Sequence, residues 1–312
     1  MEEKTGWFLP CSGTNGVKTD LECLPCFFGQ ITRTLNHAGV NGERGRSILR
    51  KAEKVIELAS LDEVPARTTT LIHRILREET GVDPYKRVKD TYNRIALDKL
   101  PGLRRMIAGA VDPLEGGVRA AIAGNVIDFG IYESIDLDRS IEEAFHLPLS
   151  SFAFRNFERA VGKARRVLYL CDNAGELVFD RVLIELLRAR EKFVIVAVKG
   201  APVINDATRE DAVVAGLHEC AEVIDNGNDG IGTLLEACSD RFLAEYRSAD
   251  LIISKGQANY ETLAGTGDQR IFFLFKVKCP VVARELRREN GDIVLMGGGQ
   301  SAKELSGKTV NR

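Results

Sequence analysis

Four apolar runs in the second half of this chain end on residues that can do chemistry. VLYL is followed by Cys171, Asp172 and Asn173, with Glu176 a turn further on, and FVIVAV by Lys199 and then APVINDATREDA, which carries Asn205 and Asp206. DLIIS is followed by Lys255, Gln257 and Asn259, and IFFLF by Lys276 and Lys278. Asp172, Asn173 and Asp206 are hard oxygen donors, the set that Mg²⁺ or Mn²⁺ prefers. Lysines opposite such a cation would take phosphate oxygens. The plainer alternative is that Asp172 and Asp206 only cap the helices that follow them. Asn173 directly after Asp172, with Glu176 one turn on, argues against capping alone, since one cap residue suffices.

These residues need a scaffold that brings four strand ends together. From residue 166 on, short β-branched or aromatic runs (VLYL, FVIVAV, EVID, DLIIS, IFFLF, DIVLM) alternate with helix-like segments such as LVFDRVLIELLRARE, which predicts a parallel sheet covered on both faces. Ligands of such sheets bind outside the carboxyl ends of the strands. From about residue 47 to 164 the period is helical, in segments separated by Pro, Gly and Asp signals, and Asp83-Pro84 reads as a helix start. Within it, AIAGNVIDFG puts Asn125 and Asp128 on one helix face. A carboxylate there must either pair structurally or face a polar cleft. Lys86 and Lys89 read as a solvated helix face.

Composition removes several classes. With 43 basic and 45 acidic residues and no long basic run, nothing supports a nucleic-acid surface. No stretch reaches the ~18 apolar residues of a membrane span, and the acidic, interrupted N-terminus lacks a leader pattern, so a cytoplasmic protein is expected. Seven cysteines scattered through 312 residues suggest free thiols in a reducing compartment. Cys23-Leu-Pro-Cys26 has metal-ligand or redox spacing, with Cys11 as a conceivable third ligand, but no second pair follows, and buried packing is the expected role. The four histidines form no zinc-protease motif. The glycines of GNDGIG do not follow the dinucleotide order, and serine-hydrolase and P-loop motifs are absent from the sequence.

Taken together and in order, CLPC, DPYK, GNVIDFG, CDNAGE, KGAPVINDAT, SKGQANYETL and FLFKVKC resemble the metal-dependent damage-control phosphatase family, in the prokaryotic and archaeal branch that carries an N-terminal C-x-x-C. The resemblance runs over residues 21 to 296. It implies a fold of class α/β, with a helical N-terminal domain packed on a three-layer α/β/α Rossmann-like domain whose sheet is mainly parallel. The expected divisions are 1–20 as an extension, 21–164 helical, 165–297 α/β, and 298–312 as a loose polar tail. The resemblance also implies Asp172, Asn173 and Asp206 as metal ligands, the trio that strand-end logic selects, with Asn125, Asp128, Gln257, Asn259, Tyr260, Glu261 and Lys278 at or near the substrate. Other branches carry Arg-Thr-x-Lys where this chain has Phe275-Lys-Val-Lys278, and Asp where it has Gln257.

The expected activity is hydrolysis of a small phosphomonoester at a divalent ion (Mn, Ni, Co or Mg). Lys278 and Lys255 would neutralise phosphate charge, and Asp172 and Asp206 would be catalytic through the metal. An aspartyl-phosphate route through Asp172 ranks lower, because position 174 is Ala and not Asp. Two rivals remain at this stage: a carboxyl methyltransferase using S-adenosylmethionine, with Glu176 and the glycine of DNAGE at the methyl donor, and a non-catalytic metabolite-binding protein. The sequence gives no oligomeric state.

Overall fold

The computed structural model describes residues 16–126, 141–142 and 145–297; Asp128 and the 298–312 tail lie outside them. The chain opens with α1 (Cys23–His37), α2 (Gly42–Glu57) and α3 (Pro65–Thr80). These amphipathic helices close a core of their own around Phe27, Ile31, Ile48, Ala52, Ile72 and Leu76. Pro65 starts α3 where its missing N–H is not needed, and Gly81 ends it at φ +74. Next come α4 (Lys86–Ala108), α5 (Pro113–Val126) and α6 (Ser151–Lys163). The sequence groups these three with the N-terminal helices, yet they share their core with the sheet: Leu100, Leu103, Val118, Ile122 and Phe157 pack with Val167, Tyr169 and Val196.

Three local expectations change. Pro101 does not divide two helices but lies inside α4, where Leu100 and Leu103 are buried on either side of it. Asp83 does not cap that helix. Its Oδ1 accepts from the Tyr85 N–H at 2.9 Å, a local turn that delays the helix to Lys86. Lys89 is not solvated; it is 2% exposed and pairs with Asp83 at 2.8 Å.

The remaining chain alternates as the sequence predicts: β1 (Arg166–Leu170), α7 (Glu176–Ala189), β2 (Phe193–Val198), α8 (Arg209–Val214), β3 (Glu222–Asp225), α9 (Asp240–Ser248), β4 (Leu251–Lys255), α10 (Gln257–Leu263), β5 (Ile271–Lys276), α11 (Pro280–Leu286) and β6 (Ile293–Gly297). The six-stranded sheet has the order β3-β2-β1-β4-β5-β6, and every pairing is parallel except β5 with β6. Side chains alternate across it. Val167 and Tyr169 enter one core, while Leu168 and Leu170 enter the other with Ile195, Ile252 and Phe273. Both faces are therefore apolar, as parallel strands require. The chain runs from β1 outward through β2 to β3 and resumes on the other side of β1 at β4. Strand order thus reverses between β1 and β4, which opens a crevice at their carboxyl ends.

Candidate active site

A cavity of about 460 Å³ lies over that crevice. Its floor comes from the strand ends, with Asp172, Asn173, Asn205, Asp206, Gln257 and Lys278; its opposite wall comes from α1 and α3, including Cys26, Phe27, Gln30, Arg33 and Thr69. The loop after β1 and the loop after β2 are stitched together. Asn173 and Asp206 form an antiparallel bridge, Ala174 N–H donates to Asn205 O at 2.9 Å, and Ala207 N–H donates to Asp172 O at 2.8 Å. The turn needed for this puts Ile204 at φ +43. A β-branched residue there is strained by about 1–3 kcal/mol, which the surrounding bonds must hold.

The side chains of the trio are anchored on one atom each. Asp172 Oδ2 accepts from Asn125 Nδ2 and Asn173 Nδ2, both at 2.8 Å. Asn173 Nδ2 also donates to Glu176 Oε2 at 3.1 Å, and Asp206 Oδ2 lies 3.4 Å from Lys199 Nζ. In each case Oδ1 takes no hydrogen bond from the described residues, and all three side chains line the cavity. Gly256 makes room for this: at φ +83, a Cβ on it would stand 2.1 Å from the Asp172 carboxyl carbon.

Electrostatics points the same way. Burial above all, then Glu176 and Asp206 nearby, lifts the Asp172 carboxyl well above the usual range, against the pull of Lys278 and Lys199. Burial also raises Asp206, against Lys199 and Lys89. Two neighbouring acids that resist ionisation are relieved by a cation between them, because opposite charge favours the carboxylate form. Oxygen-only donors with unbonded Oδ1 atoms on a cavity fit a hard divalent ion. Among the described residues no three His, Cys, Asp or Glu side chains group as a metal site; the set here is two carboxylates and an amide.

Several residues expected at the substrate serve the floor instead. Lys255 is fully buried, donating to Glu176 Oε1 at 2.6 Å, Ala121 O at 2.8 Å and Asp180, so it cannot reach a phosphate in the cavity. The buried carboxylates on α7 draw it inward, and Tyr169 Oη donates to Asp180 at 2.7 Å behind them. Glu176 is also sealed, braced by Lys255 and the amides of Asn125 and Asn173. With Gly175 N–H given to Asn93 Oδ1 at 2.6 Å, the methyl-donor reading of DNAGE loses its groups. Asn125 is buried, its Oδ1 accepting from Lys276 N–H at 3.0 Å. Asn259 is buried and donates to Cys171 O and Lys255 O, tying α10 to the ends of β1 and β4. Tyr260 stacks on Phe275 and donates to Glu285 at 3.1 Å.

Gln257, Glu261 and Lys278 do reach the cavity. Gln257 Nε2 donates to Glu261 Oε1 at 2.9 Å, and its Oε1 accepts from Lys278 N–H at 2.8 Å. Burial pushes the Glu261 carboxyl up to about 7. Sequence reasoning missed Lys89, Asn93, Tyr169 and Asp180. Only Asp180 left a signal, four residues after Glu176 on the same helix face.

In the GNDGIG loop, Asp229 is gripped by Arg74 and Arg77 of α3, at 2.5 and 2.6 Å. Among the described residues no helix is long and apolar enough to cross a membrane.

A doubly wound sheet with acids at its β1–β4 crevice, roofed by helices, defines an α/β ligand-binding architecture. Residues 19–294 match the model of the damage-control phosphatase ARMT1-like domain, and the chain belongs to that family. It is 36% identical over 284 residues to a damage-control phosphatase of Pyrococcus horikoshii, covering 90% of this chain and 98% of that one. A protein of Methanocaldococcus jannaschii without an assigned function is 39% identical over 290 residues, covering 90% of this chain and 95% of that one. The crystal structure of a DUF89 family protein from P. horikoshii superposes with a TM-score of 0.83 at 35% identity, over 90% of this chain and 99% of that one.

Proposed function

We propose that this protein is a metal-dependent phosphatase of small phosphomonoesters, with a divalent cation held by Asp172, Asn173 and Asp206. The observation that carries the reading is the trio itself: three oxygens without protein hydrogen bonds, brought to one cavity by two loops that brace each other. Relatives that bear the name damage-control phosphatase support the reaction class. The cavity volume of about 460 Å³ suits a small ligand.

A cation held by Asp172, Asn173 and Asp206 would supply Lewis acidity at the phosphoryl group. The chain does the rest. Lys278 offsets phosphate charge beside Asp172, on which its charge already acts. Lys199 holds Asp206 in place from behind. Glu261, with a carboxyl near 7, can hand a proton to a leaving oxygen and recover it near neutral pH. Sugar phosphates, phosphopantetheine-like esters and damaged phosphometabolites are the substrate classes to screen.

The test is phosphate release from a panel of such esters with Mg²⁺, Mn²⁺, Co²⁺ or Ni²⁺, beside calorimetry with each metal alone. Metal-stimulated turnover that disappears in Asp172→Ala and Asp206→Ala is the expected result. Retained activity in both variants would falsify the ligand set, and binding of esters without turnover under every metal would leave a metabolite-binding protein.

A further inference from the structure

Packing absorbs only part of the C-x-x-C. Cys23 opens α1 as a buried residue, whereas Cys26, one helical turn on, is exposed. Cys279, the residue before α11, lies on the sheet side, and all three thiols line the cavity. Cys23 feels the charge of Cys279 and Cys26. Each sulfur also accepts an N–H: Cys23 from Asp20 N at 3.4 Å, Cys26 from Gln30 Nε2 at 3.4 Å, and Cys279 from Gln257 Nε2 at 3.3 Å.

Residues three apart on a helix fall within the roughly 4.4–6.8 Å Cα separation that a disulfide spans. The first turn of α1 has no side-chain cap to break, since Glu22 makes no capping bond. Cys11, the conceivable third ligand, lies outside the described residues; Cys23 and Cys26 lie within them, one turn apart on α1.

We propose that Cys26 and Cys23 form a redox-active pair on the cavity wall, which closes to a reversible disulfide by exchange with a low-molecular-weight disulfide. The exposed Cys26 thiolate attacks one sulfur of that disulfide, breaks its S–S bond and expels a thiolate, which takes a proton from water. Cys23, after losing its proton to solvent, attacks Sγ of Cys26 in the mixed disulfide and expels the second thiolate. The protein thiols give up two electrons and the small disulfide accepts them, leaving two small thiols. Burial, which chiefly raises the Cys23 thiol, makes Cys23 the resolving partner and not the first attacker. Because Cys23 and Cys26 line the same cavity as Gln257, Glu261 and Lys278, the pair shares that space with the residues that would meet a substrate.

The test uses the full chain, oxidised glutathione as probe, thiol titration and peptide mapping, and does not depend on phosphatase activity. The wild type is expected to lose one pair of thiols, to yield a Cys23–Cys26 link and to recover with dithiothreitol. Cys26→Ser should react at least about tenfold more slowly, while Cys279→Ser follows the wild type; circular dichroism checks that both variants are folded. A glutathione adduct on Cys26 that never resolves, equal rates in wild type and Cys26→Ser, or a link from Cys23 to another cysteine overturns the proposal.

Discussion

The floor and the α1 wall of one cavity are built on different terms. On the floor, Asp172, Asn173 and Glu176 are tied by a network that continues through Lys255 to Asp180 and Tyr169, all buried. On the wall, Cys26 and Arg33 are exposed, Gln30 is half-buried, and Arg33 makes no ion pair with the described residues. Positional accuracy is concentrated where strand-end loops brace each other, and the helix side is left adaptable. Under the proposed function, reaction geometry would belong to the floor and selectivity to the wall.

Breaking the floor should produce the largest effects. Asp172→Ala and Asp206→Ala are expected to lower metal-stimulated phosphate release by about 10³-fold or more, measured as kcat/KM. Lys255→Met strands Glu176 and Asp180 without their cation and should cost about 3–5 kcal/mol in urea unfolding. Burial raises the Asp180 carboxyl to about 7 even against the pull of Lys255, so without Lys255 it stays neutral to higher pH, and the deficit should widen as pH rises above about 7, where the wild-type carboxyl ionises beside its cation. A deficit that is unchanged between pH 6 and pH 9 would contradict that assignment.

The wall should respond more gently. Arg33→Ala is expected to raise KM by at most about tenfold with kcat nearly constant, the mark of lost ground-state binding; a fall in kcat instead would move Arg33 into the reaction. Smallest is the clamp away from the crevice. Burial acts to raise the Asp229 carboxyl, but hydrogen bonds from Arg74 and Arg77 outweigh it and hold it at about 2. A depressed acid stabilises the fold above its ordinary value of 3.8, and that stability drains away as pH falls toward about 2. Asp229→Asn should cost about 1 kcal/mol at neutral pH and flatten the acid limb of the stability curve.

The alternation of apolar runs with helical segments suffices to read the sheet, because buried parallel strands leave no other pattern. Asp172, Asn173 and Asp206 were legible as a group for the same reason: strand ends of a doubly wound sheet converge. Lys255 was not. A lysine after a strand looks the same in sequence whether it points to a ligand or into the core, and Asp180, which draws it inward, lies 75 residues away. Lys89 was misjudged likewise: beside the nearby Asp83, its second acid, Asp211 at 3.8 Å, sits on another helix. The helical unit hid its division as well, because amphipathic helices do not announce which core they cover.

The Lys255 network also bears on how the polypeptide is made. Glu176 and Asp180 emerge from the ribosome 79 and 75 positions ahead of the ammonium group that balances them. A nascent chain halted before β4 therefore holds two acids that have no cation in this network, so the cavity floor is completed late in synthesis, only once the fourth strand has been threaded beside the first.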